Sequence, residues 1–120
     1  DDDGRKSEYV SLTGTTPTFT PTLSNPVIGA LSESPAGTVN VPVTIPNDVN
    51  VEGVEVYAGP DGDVANASQL SAITYGAANA VVDYQEAGIA SGVTRYYFAR
   101  SIGLNNAPGN WTAGTSITTA

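Results

Sequence analysis

Residues Thr38 to Ile45 alternate strictly between apolar and polar or edge-type positions. Val39, Val41, Val43 and Ile45 share one face, and Asn40, Pro42 and Thr44 share the other. A period of two is that of a half-buried β-strand. Pro42 lacks an N–H, so an unpaired edge position or a bulge is expected there. Val51 to Ala58 forms the next strand, with Val54 and Val56 on one face and Glu55 and Tyr57 on the other. Gly59-Pro60-Asp61-Gly62 then reads as a turn, because Pro suits its second position and Gly tolerates positive φ. Ala80 to Tyr84 is a short strand, Thr94 to Ile102 is the most aromatic run, and Trp111 to Thr119 is a last strand after the loop Asn105 to Gly109. An earlier strand is expected around Pro26 to Ser32, carrying Val27, Ile28 and Leu31. The best helical stretch, Val64 to Ile73, predicts one or two turns at most. Strands that recur every ~10–15 residues between Gly and Pro punctuation predict a sandwich of two sheets.

The first 24 residues follow a different pattern. Asp1, Asp2, Asp3, Arg5, Lys6 and Glu8 make a polar tip, expected to be disordered. Pro17, Phe19, Pro21 and Leu23 then alternate with Thr16, Thr18, Thr20 and Thr22. The two prolines remove two ladder donors, so this stretch is not a central strand. It reads as an extended arm, with three readings open: a linker from a longer chain, an arm docking on a neighbouring subunit, or a first strand of the domain itself. The division expected is an arm over 1–24 and a folded domain over 25–120.

Composition narrows the chemistry. The 120 residues contain no His, Cys or Met. That excludes disulfides, thiolate or imidazole metal sites, and Cys or His catalysis. Polar character comes from 14 Thr, 10 Ser and 13 Gly rather than from charge, since charged residues are only 13%, about half the usual share. Four basic against twelve acidic residues give −8. This argues against nucleic-acid or anionic-membrane binding through a basic face. Most of that charge, −6, falls after residue 8, where it serves solubility or matches a basic neighbour. No apolar run approaches the ~18 residues of a membrane span, and the start does not read as a signal peptide. The absent initiator Met suggests a mature, trimmed or excised piece. The sequons Asn66-Ala67-Ser68 and Asn110-Trp111-Thr112 are expected by chance in so Asn-, Ser- and Thr-rich a chain.

Candidate chemistry is sparse. Asp61 and Asp63 are the closest carboxylate pair but sit in the Gly-Pro turn, and Glu52 and Glu55 fall on opposite faces of one strand. No base is positioned by sequence to tune either pair for acid–base work. Asp61-Gly62-Asp63 lacks the further acidic ligands of a calcium loop, since Ala65 and Ala67 follow. Neither a cofactor nor a metal is expected. Exposed tyrosines could stack on sugars. The candidate contact residues are Tyr57, Tyr84, Asn105 and Asn106, with Pro17, Phe19, Pro21 and Leu23 on the arm.

Residues 26–119 resemble a fibronectin type III domain, particularly the versions in phage tail-tip and other virion proteins. Val54-Glu55-Val56-Tyr57-Ala58 with Gly59-Pro60-Asp61-Gly62 is similar to the third strand and its turn. Gly88 to Arg100 is similar to the corner loop entering the sixth strand, and Gly109-Asn110-Trp111-Thr112 to the opening of the last. The resemblance implies an all-β, immunoglobulin-like (fibronectin type III-like) sandwich of about seven strands, here with an extended N-terminal arm. It also implies a corner tyrosine that buries its ring and anchors its hydroxyl. Counted from Gly92 that position is Arg95, and counted by the aromatic it is Tyr96. Facing Arg100 to solvent would turn Tyr97 and Ala99 inward; facing Tyr96 and Phe98 inward would bury Arg100. A bulge near Phe98–Ala99 reconciles both ends, so Tyr96 is expected as the corner. The second strand lacks the large aromatic common in the family. The expected core is therefore Val39, Val41, Val43, Ile45, Val54, Val56, Val82, Ile89, Phe98 and Ile117, with Trp111.

The resulting expectation is a non-enzymatic structural or assembly module of a virus particle, located in the virion as a phage tail or capsid-surface component. Its partners would be copies of itself or other virion or filament subunits, with no nucleic acid and no membrane insertion. Two alternatives remain: a subunit of an extracellular filament or cell-surface adhesin with arm-mediated strand exchange, and a carbohydrate-binding accessory module of a secreted enzyme that contacts surface glycan.

Overall fold

A computed structural model describes residues 22–120. Pro17, Phe19 and Pro21 lie outside the described residues. The described chain is all-β, two antiparallel sheets packed face to face. In the first sheet, β3 (Val39–Thr44) is central. One side of it pairs with β1 (Val27–Ile28) and then β2 (Ser32–Glu33), and the other side with β7 (Val81–Glu86). In the second sheet, β4 (Gly53–Gly59) pairs with the short strands β5 (Ser68–Gln69) and β6 (Thr74–Tyr75) on one side. On its other side lies β8 (Thr94–Ile102), which carries β9 (Thr115–Thr118) at the edge.

The strict alternation of β3 has the expected consequence. Val39, Val41, Val43 and Ile45 are wholly buried, while Asn40, Pro42 and Thr44 are half-buried on the outer face. Burying each such side chain contributes about 1.5–3 kcal/mol. Pro42 needs no bulge. It sits opposite Asp83 in an unbroken ladder with β7, and its carbonyl accepts the Gly29 N–H at 2.8 Å. Val54, Val56 and Ala58 of β4 meet this layer from the second sheet.

The inward side of β8 differs from the expected one. Its pairing with β4 runs without a break from Gly59–Tyr96 to Gly53–Ile102, so there is no bulge at Phe98–Ala99. Tyr97 and Ala99 therefore belong to the core, and Tyr96, Phe98 and Arg100 face outward. Phe98 is nevertheless buried. The chain after the β8–β9 loop lies over it: Thr112 donates its N–H to the Ala99 carbonyl at 2.8 Å, and a Cβ on Gly114 would stand 2.8 Å from the Phe98 ring. The core also contains Val51, Ala58, Tyr84 and Tyr97, which the apolar pattern did not assign to it, while Val82, Ile89 and Ile117 pack at its margin.

Two residues expected in the arm, Leu23 and Ser24, contact the folded domain. Leu23 packs against the core, and Ser24 is held on both sides of its peptide. Its N–H donates to Asp48 Oδ2 at 2.9 Å, and its carbonyl accepts from Ser101 Oγ at 2.5 Å. The Val64–Ile73 stretch yields a single 3-10 turn at Val64–Asn66 and then passes into β5.

Candidate functional site

The sandwich has two ends, and the strand register assigns residues to each. At the far end lie the β2–β3 connection, the β4–β5 turn, the β7–β8 corner and the residues after β9. At the arm end lie the incoming residues 22–26, the β3–β4 loop, β6, the start of β7 and the β8–β9 loop.

The far end is closed by polar contacts. Tyr97, wholly buried, donates its hydroxyl to Glu86 Oε1 at 2.8 Å. Arg95 grips the same carboxylate with two bonds, Nε to Oε1 at 3.1 Å and Nη2 to Oε2 at 2.7 Å. The group joins β7 of one sheet to β8 of the other. Burial first, and the Glu86 carboxylate second, push the Tyr97 hydroxyl well above the ordinary tyrosine range. Tyr97 rather than Tyr96 thus buries its ring and anchors its hydroxyl in β8. Tyr96 is half-buried on the outer face, beside Gly62 and Gly114. Glu33 accepts N–H groups from Gly37 at 2.7 Å and Ala120 at 2.8 Å. Asp61 accepts from the Asp63 N–H and the Asn66 amide, and Asp63 caps the 3-10 turn through the Ala65 N–H. The Asp61–Asp63 stretch is therefore turn chemistry. Among the described residues no group of three or more acidic side chains is disposed to hold a metal ion.

The outer face of the second sheet carries Tyr57, as alternation predicts. Its ring meets Trp111 with centroids 4.6 Å apart and planes 52° apart. The Arg100 guanidinium stands 4.3 Å from the Trp111 ring centre and 5.9 Å from that of Tyr57, a cation–π arrangement. Glu55 holds Arg100 Nε at 2.8 Å and Gln69 Nε2 at 2.9 Å. That pairing explains how an outward carboxylate becomes buried. The aromatic faces here are engaged within the chain, tilted and capped by a cation, rather than laid out as a flat platform. Tyr84 is buried, which corrects its assignment as an exposed contact residue. It lies on the inner side of β7, and its hydroxyl reaches Thr74 Oγ1 at 3.0 Å and the Val54 carbonyl at 3.3 Å.

The arm end has the opposite character. Val27 pairs with Thr44, which pairs with Val81, so the two valines flank one row of the first sheet. Gly53 pairs with both Tyr75 and Ile102, and Leu104 follows at the turn after β8. Val49 sits in the loop between β3 and β4. Val27, Val49, Tyr75, Val81 and Leu104 are the large apolar side chains left 55–96% exposed among the described residues, and all five belong to this end, Val27 and Val81 on the outer face of the first sheet and Tyr75 on that of the second. Asn105 and Asn106, as expected, are exposed at this end, in a 3-10 turn over Leu104–Asn106 with positive φ of 57° and 60°. Asn tolerates that conformation better than most residues. Asn106 also accepts a hydrogen bond from the Tyr75 hydroxyl. Asp48 and Glu52 are the carboxylates at this end, and neither described arginine lies here. The two backbone N–H groups that Asp48 accepts, from Ser24 and Asn50, hold its carboxyl below the usual carboxylate range.

Sequence reasoning located Asn105 and Asn106 but not the exposed apolar residues that share their end of the sandwich. Each of its five members looked like an ordinary strand or loop residue, and only the register brings them to one end. Neither a scan against models of protein families nor a search of curated proteins finds a match.

Proposed function

We propose that this chain is a non-enzymatic structural or assembly module of a virus particle, a phage tail or capsid-surface component built on a fibronectin type III-like sandwich. Taking β1 with β2 and β5 with β6 as two interrupted strands gives seven in all. That count accords with the likeness carried by Val54–Gly62, Gly88–Arg100 and Gly109–Thr112. Fold alone does not give function. The observation that carries the reading is the gathering of the exposed apolar side chains at the arm end. Scattered surface apolar residues need no explanation, but that the large ones all fall at one end of a small domain supports contact through that end. The module would meet its neighbours through that end, using small aliphatic anchors inside a rim of Asn and carboxylate side chains.

Mass spectrometry of density-gradient-purified particles from the source of the gene tests this. The chain should be present in fixed ratio to the major structural proteins. Val81→Asp should melt like the wild type yet fail to incorporate. A chain found only outside the particles, or a Val81→Asp protein incorporated as well as the wild type, would overturn the proposal.

A further inference from the structure

Among the described residues, β7 is the longest edge strand. β1, β2, β5 and β6 are two residues each and β9 is four, whereas β7 runs for six with neither Pro nor Gly. Its ladder with β3 is unbroken, and no described strand pairs with its other side. Pro42 decides which backbone groups of β7 face that side. It has no N–H, and its carbonyl is turned to Gly29, away from β7. Opposed residues in an antiparallel pair alternate between bonded and non-bonded, so Pro42 and Asp83 form a non-bonded pair. The bonded pairs are then Val39–Glu86, Val41–Tyr84 and Val43–Val82. Val81, Asp83 and Gln85 therefore direct three N–H and three C=O groups into the open edge, and all three residues are exposed. Such a row is a template for one more strand. Edges are commonly blunted by brevity, by Pro or by a bulge, and β7 has none of the three.

The side chains along this edge say what the added strand must present. Val81 is 58% exposed, and Asp83 follows it on the same outer face. Gln85 is occupied, its amide donating to Asn40 Oδ1 at 2.8 Å. The two described arginines are engaged elsewhere, Arg95 with Glu86 and Arg100 with Glu55. The other two cations of the chain, Arg5 and Lys6, stand among Asp1, Asp2, Asp3 and Glu8. Charge complementarity to Asp83 therefore points to a different molecule. We propose that the open edge of β7 takes an extended segment of a different protein as an added strand, with an apolar residue beside Val81 and Lys or Arg beside Asp83. Backbone hydrogen bonds supply the contact, and alternate side chains supply the selectivity. A second copy fits poorly. Two β7 strands paired antiparallel about Asp83 would set carboxylate against carboxylate, and like charges directly opposite are destabilising. Any other centre shortens the shared ladder. The site runs along the side of the sandwich from the arm end, and it stands whether or not the assembly is a virus particle.

Amide hydrogen exchange in the full chain, read residue by residue by NMR, tests it. Without a partner, Val81, Asp83 and Gln85 should exchange about a hundredfold faster than Val82 and Tyr84, whose N–H groups bond β3. A soluble heptapeptide of alternating Thr and Val with Arg at its centre, added at millimolar concentration, should slow the three edge amides about tenfold or more. Glu in place of that Arg should weaken binding about tenfold, since opposite and like charges across a strand pair act in opposite directions. Asp83→Lys should reverse the preference, and Asp83 is exposed, so the change does not threaten folding. Edge amides that are protected before any peptide is added, or that stay unprotected with the Arg peptide, would overturn the proposal. So would equal binding of the two peptides, or a preference that Asp83→Lys leaves unchanged. A dimer whose edge amides become protected as the chain is concentrated would give the edge to a second copy and overturn it as well. None of these outcomes depends on incorporation into particles.

Discussion

The two ends of the sandwich are made from the same materials, short turns between antiparallel strands, and finish differently. At the far end, Glu86, Arg95 and Tyr97 satisfy one another, Glu33 receives two backbone N–H groups, and Asp61 and Asp63 cap their own turn. At the arm end, polar contacts hold Ser24 and the Asn106 turn, but the large side chains that remain are apolar and face outward. A sandwich can close an end with internal hydrogen bonds or leave it to be covered by something else. This chain closes the far end with internal hydrogen bonds and leaves apolar side chains exposed at the arm end, which is why contact is proposed to run through the arm end.

The largest expected effect comes from opening the far end. Glu86→Ala removes the acceptor of a buried hydroxyl and the partner of a partly buried guanidinium. Leaving both unsatisfied should cost about 2–3 kcal/mol, seen in calorimetry as a melting point lower by roughly 10 °C. Next is the alkaline limb. Because the folded protein raises the Tyr97 hydroxyl above its unfolded value, the folded state holds that proton more tightly. Stability is then full below about pH 10, where unfolded tyrosine titrates, and declines as pH rises beyond it. Tyr84 is shifted the same way by burial. Urea midpoints between pH 8 and pH 11 should fall for wild type and fall less for Tyr97→Phe; equal slopes would detach the effect from this residue. Both ends contribute on the acid side. Asp48 and Glu33 have carboxyls lowered by backbone N–H groups, so their contribution is present above the unfolded value and lost as pH falls through the folded one. Asp48→Asn should therefore flatten part of the acid limb of a pH titration of stability, and an unchanged limb would count against the Ser24 anchor. The smallest effect on folding is expected at the apolar surface itself. Val81→Ser should change unfolding free energy by under ~0.5 kcal/mol, and a larger loss would mean that this side chain is part of the core.

Much of this was legible in the sequence, and the misses have physical causes. The period of β3 read directly because one face meets the core and the other does not, so every second residue carries the signal. Tyr57 was assigned outward for the same reason. The aromatic run of β8 was ambiguous because both of its faces are covered. Tyr97 enters the core, while Phe98 is roofed by the chain around Gly114, so burial stops alternating even though the side chains do. The burial of Phe98 comes from this returning chain and needs no bulge. Tyr84 is the inward residue of β7 opposite Val41, with Asp83 and Gln85 outward, and its burial follows from that pairing. The short strands β5 and β6 left no pattern, since two residues cannot display a period. The apolar gathering at the arm end depends on residues from five segments and on pairing that no local pattern encodes.

The central claim is that contact with a neighbour runs through the arm end and leaves the far end free. Hydroxyl-radical footprinting of the isolated chain and of the assembled particle tests it most directly. Labelling of Val27 and Val81 should fall sharply on assembly, while that of Pro60 in the far-end turn stays unchanged. Protection of Pro60 with Val27 and Val81 still reactive would contradict the account.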